Sequence, residues 1–119
     1  MGQLLFKEPK KELENCLVTL YRMLDNIHDY DGMEIANYMS CRDDAQMAIE
    51  QLNGNIDLSP YLEKLGYLDQ KIRENAQYIS ESMDSHFVRN YRRTFQIPRS
   101  WWWWYLDEFI AETDKWASD

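Results

Sequence analysis

Residues that break regular structure are scarce in this chain. Its 119 residues include 4 glycines and 3 prolines, which excludes a sheet protein built on many tight turns. No run of 18 apolar residues occurs, so no membrane-spanning helix is expected. The two cysteines, Cys16 and Cys41, are too few for a disulfide framework. They are expected to be reduced core residues of a cytoplasmic protein. The glycines are scattered at positions 2, 32, 54 and 66, so there is no glycine-rich phosphate loop. Two cysteines and two histidines lie too far apart for a zinc-ligand pattern. The start, Met1 to Phe6, is too short and too soon interrupted by charge to be the apolar part of a secretory signal. Gly2 would suit myristoylation, but Phe6 stands where that signal requires Ser or Thr.

What the chain does have is helical spacing. With 45% apolar and 29% charged residues, it has the composition of one soluble domain that can bury a core without staples. A first helix is predicted from about Pro9 to His28, with Leu13, Leu17, Leu20, Leu24 and Ile27 on one face. After a turn at Asp29 to Gly32, a second runs from Met33 to Asn53 on Ile35, Tyr38, Met39, Ala45, Ile49 and Leu52, with Gly54 as its cap. Ser59-Pro60 starts a third. Leu62, Leu65, Leu68, Ile72, Ile79, Met83 and Phe87 keep its helical step, so it reaches Tyr91 or beyond with a bend near Gly66 or after His86. Ile97-Pro98 interrupts the pattern, and a fourth helix starts between Pro98 and Ser100 and runs to Ala117. The expected fold class is all-α: one domain over 1–119 with an N-terminal arm at 1–8, folded as an up-and-down four-helix bundle.

Four tryptophans in a row, Trp101 to Trp104, precede Tyr105. Successive helical residues point about 100° apart, so such a run faces both core and solvent. On a regular helix, Trp102, Leu106, Phe109, Thr113 and Trp116 form the deepest stripe, with Trp103 and Ile110 beside it. Trp104 falls farthest from the core and Trp101 next. An indole exposes roughly 150–250 Å², so these two need a cover. Leu4, Leu5 and Phe6 of the arm are one candidate cover and a protein partner is the other.

Charge is divided unevenly. Residues 1–85 carry 16 acids and 8 bases, residues 86–100 carry Arg89, Arg92, Arg93 and Arg99 with no acid, and the whole chain is at −8. Phe87, Tyr91, Phe95 and Trp101 interleave with these arginines, a combination that stacks on aromatic faces and grips carboxylate or phosphate. The simpler role is neutralisation of the acidic remainder through intramolecular pairs. The net charge disfavours nucleic acid as a partner.

Catalytic chemistry has little to stand on. Asp25, His28, Asp29, Asp31 and Glu34 hold oxygen and imidazole ligands close together, but the Glu-x-x-His pairs of metal-binding bundles are absent, and Met83 takes that place before His86. Arg22 and His28, six residues apart, resemble the Arg-plus-His signature of HEPN-type ribonucleases. That resemblance covers two residues, on the first helix rather than a late one. It implies a small all-α dimer cleaving RNA without metal, with Arg22 and His28 in the cleft.

The leading expectation is a non-enzymatic interaction module that self-associates as a homodimer, or binds another protein, through segment 87–105. Trp101 and Trp104 would be desolvated anchors beside Tyr105, and Arg92, Arg93 and Arg99 would pair with carboxylates or phosphates at the rim. No catalytic residue, metal ligand or cofactor is assigned. A second expectation is a small acidic antagonist of a basic nuclease, such as an immunity protein or antitoxin. It would use Asp25, Asp29, Asp31, Glu34, Asp43 and Asp44 as a phosphate-like face.

Overall fold

The computed structural model describes residues 5–117, with side chains over 5–111. Six α-helices form among them and no strand. Helix α1, Pro9–Asp25, opens with proline in its first turn and buries Leu13, Leu17 and Leu20 of the predicted stripe together with Cys16 and Met23, while Leu24 is only half-buried. It ends three residues before His28. Ile27–Asp29 is a separate 3-10 turn that still buries Ile27.

Helix α2, Gly32–Leu52, begins at a capping box. The Glu34 amide donates to Asp31 Oδ1 (2.8 Å), and the Asp31 amide donates back to Glu34 Oε1 (3.2 Å). Its first residue has to be glycine, because a Cβ on Gly32 would come within 1.9 Å of the Ser82 carbonyl oxygen. Gly54, with φ +85°, provides the left-handed residue past its end.

The third predicted segment is three helices: α3, Ser59–Glu74; α4, Ala76–Ser82; and α5, Ser85–Thr94. The helix count is therefore six, not four, and the breaks fall at Asn75 and at Met83-Asp84, not at Gly66 or after His86. Local hydrogen bonds explain both. The Asn75 side chain donates to the Lys71 carbonyl (2.9 Å), a bond that competes with helix propagation. Asp84 accepts from the amides of His86 (2.7 Å) and Phe87 (3.3 Å), capping a new helix. Leu62 and Phe87, both on the predicted core stripe, are exposed.

Helix α5 closes with a Schellman motif. The Ile97 amide donates to the Arg92 carbonyl (3.0 Å) and the Gln96 amide to the Arg93 carbonyl (3.3 Å), with Gln96 at φ +50°. The last helix, α6, is Leu106–Ala117 and so starts later than the sequence implies. Thr113, Trp116 and the side chains opposite them lie outside the described side chains. Helix α1 packs chiefly on α2 and also on α3, while α4 packs on α6, so one buried apolar cluster runs from Leu13 to Leu106. None of these helices is long and apolar enough to cross a membrane.

Candidate functional site

Past Pro98 the chain turns by successive short-range bonds: the Trp101 amide to the Pro98 carbonyl, Trp104 to Trp101, and Tyr105 to Trp102. Trp102–Trp104 is thus a 3-10 turn, not part of an α-helix. At three residues per turn, neighbouring side chains separate by about 120°, which overturns the wheel built on 100° steps. Trp104, placed farthest from the core by that wheel, is 1% exposed, and Trp103 is equally buried; Trp101 and Trp102 are half-buried.

A buried indole N–H can only donate, so two buried indoles require an acceptor. Asp43 of α2 supplies it. Its Oδ1 accepts from Trp103 Nε1 (2.6 Å) and Trp104 Nε1 (2.7 Å), and its Oδ2 from the Tyr91 hydroxyl (2.9 Å). Burial raises the Asp43 carboxyl above its ordinary range, and the three donors pull it partly back. Neighbouring Arg42, also buried, grips Asp69 with both arms of its fork (2.9 and 3.1 Å) and lies 4.0 Å over the Trp103 ring. Tyr91 stacks on Trp104 at 4.3 Å, and Arg73 covers Trp102 at 4.1 Å. Among the described residues no buried side-chain nitrogen or oxygen lacks a partner. The chain itself covers these rings. Leu4 of the arm lies outside the described residues; Phe6 is tied to α2, where Gln51 donates to its carbonyl (2.8 Å) and accepts from its amide (3.0 Å).

Two of the three proposed rim arginines are engaged inside the chain. Arg92 donates to the Trp104 carbonyl (2.7 Å), pairs with Asp107 and lies over the Tyr105 ring. Arg99 pairs with Glu108 (2.5 Å), and Tyr105 donates its hydroxyl to the Ile97 carbonyl (2.6 Å). Arg93 and Arg89 face solvent, as does Phe95, 61% exposed.

The open apolar surface lies elsewhere, between α1 and α3. A groove of about 890 Å³ is lined by Leu17, Val18 and Tyr21 on one side and Tyr61, Tyr67 and Leu68 on the other. Val18 is 51% exposed and Tyr21 and Tyr67 are each 52% exposed. Sequence reading passed over this surface, although apolar residues at 18 and 21 on the otherwise polar side of the first helix were a visible signal.

The remaining candidates separate in the structure. Asp43 is buried and cannot belong to an acidic contact face; Asp31 and Glu34 serve the α2 cap, and Asp25 and Asp29 are exposed. Arg22 is exposed on α1, while His28 sits in the following turn with its ring centre 4.4 Å from that of Tyr78 in a T-shaped arrangement. Among the described residues no hydrogen bond joins Arg22 to His28. The potential ligands that do converge are Glu12, Cys16 and Asp44, whose donor atoms lie within 4.8 Å of one another. Burial and the nearby Cys41 and acids push the Cys16 thiol up to about 12, and burial beside Asp44 raises Cys41 as well. Both thiols are held protonated, the opposite of an activated nucleophile.

No family model, no curated protein and no solved structure matches the chain.

Proposed function

We propose that the protein acts by binding, not by catalysis, as a small helical protein–protein interaction module that contacts its partner through the face formed by α1 and α3. The observation that carries this reading is the groove itself: half-exposed Val18, Tyr21 and Tyr67 rim an apolar trough. Exposed, clustered aromatic and aliphatic side chains of this kind mark contact surfaces. In this reading α1, α2 and α3 form the up-and-down part of a bundle, and segment 87–105 braces it, with Phe87, Arg89, Arg93, Phe95 and Arg99 among the residues it leaves exposed.

A photo-crosslinking amino acid at Tyr67, compared with one at exposed Glu50 on α2, tests the reading in cells that express the protein. A discrete protein adduct from position 67 and none from position 50 is expected. Absence of an adduct at 67, or equal labelling at both positions, would overturn it.

A further inference from the structure

The outward face of α1 carries an ordered set of residues: Lys11, Glu14, Val18, Arg22 and Asp25, all exposed. Their spacing is three, four, four and three, which reads the same in both directions from Val18. Their charges invert about it. Lys11 is matched by Asp25 seven positions on the other side, and Glu14 by Arg22 four positions on the other side. At about 100° per residue all five fall within an arc of about 80°, on the side of α1 opposite its buried stripe. Among the described residues none of the four charged side chains takes part in an ion pair within the chain.

From this we infer that the partner is a second copy of the chain, docked with its α1 antiparallel to the first across a two-fold axis at Val18. This rests on the interaction reading above and names its occupant. A two-fold axis brings a surface onto itself, so the patch must be self-complementary. About an axis through Val18, residue 18 plus k meets residue 18 minus k. Glu14 then faces the partner's Arg22, and Lys11 faces the partner's Asp25, each twice, which gives four opposite-charge pairs. A parallel arrangement would set every charge against its own kind. Val18 meets its own copy at the centre. The apolar contribution comes from Val18, Tyr21 and the groove beside them, which an approaching helix would cover. Each exposed ion pair contributes little by itself, but the set fixes direction and register. Helix α1 has 17 residues and is about 25 Å long, enough for the seam from 11 to 25.

Sedimentation equilibrium of the full chain with charge-swapped variants tests the inference. The wild type is expected to be a dimer. Glu14→Arg and Arg22→Glu each set like charges against each other twice and should weaken the dimer by about tenfold or more. The double variant Glu14→Arg/Arg22→Glu should recover it. An equimolar mixture of the two single variants should form a heterodimer, since each then faces the opposite charge. Both substituted positions are on the surface, so circular dichroism should show unchanged folding. A wild type that stays monomeric at high concentration, or a double variant no tighter than the singles, overturns the inference. A monomeric wild type whose Tyr67 photo-adduct is a different protein would sink the homodimer and leave the module reading standing. A monomer with no adduct would sink both.

Discussion

Asp43 is the residue on which the tryptophan turn depends. Three buried or half-buried donors converge on its carboxylate. Asp43→Ala leaves them without an acceptor and should lower unfolding stability by about 3–5 kcal/mol in urea. Asp43→Asn keeps Oδ1 for the two indoles, presents an N–H to the Tyr91 oxygen and removes a charge whose burial is unfavourable. It should stay within about 1.5 kcal/mol of wild type. Equal losses in the two variants would mean that the charge, rather than the acceptor, matters. At this scale the sequence was only partly legible. That the run of indoles needed a cover followed from the run itself, but which ones were buried did not. Trp104 is inward because Asp43, some sixty positions earlier, draws it there, and no local pattern encodes so distant an acceptor.

The helices were legible where their periodicity was unbroken. Helices α1 and α2 fall close to their predicted spans, and of the predicted α1 stripe Leu13, Leu17 and Leu20 are buried while Leu24 is half-buried. The segment after Ser59 misled because its apolar spacing continues across two breaks. The signals for those breaks lay in the back-bonding Asn75 and the capping Asp84, not in hydrophobicity. The two helical glycines make a matched test. Gly66 faces open space, so Gly66→Ala should stabilise α3 by about 0.5–1 kcal/mol. Gly32→Ala has the same propensity gain but drives a methyl into the Ser82 carbonyl, and thermal melts should show a loss of more than about 1 kcal/mol. A third change concerns the end of α5. Gln96 occupies a left-handed position that glycine adopts without cost, so Gln96→Gly should raise the melting temperature by a few degrees, equivalent to about 1 kcal/mol.

For the molecule as a whole, several buried or half-buried acidic groups shift in the same direction. Asp43 and Asp44 are raised above their ordinary 3.8, chiefly by burial, and Cys16, Cys41 and Tyr91 are raised as well. Each group holds its proton more tightly folded than unfolded. The stability it contributes is complete below its unfolded value and is lost as pH rises through its folded value. For Cys16 that window opens at 9.0 and closes near 12. Melting temperature should therefore fall steeply above pH 9, with this one thiol accounting for at most about 1.4 kcal/mol per pH unit. Cys16→Ala should flatten that alkaline slope while lowering stability at neutral pH through the lost core volume; an unchanged slope would contradict the assignment.

The bond between Asp43 and the tryptophan turn also bears on translation. The acceptor lies in the second helix, and its donors follow 48, 60 and 61 residues later. A ribosome therefore delivers the carboxylate well before the groups that satisfy it. Until Trp103 and Trp104 leave the exit tunnel, the nascent chain carries Asp43 as a hydrated anion on the inward side of α2, where water must stay to solvate it. Emergence of the tryptophan turn is thus the event that lets the first half of the molecule dry.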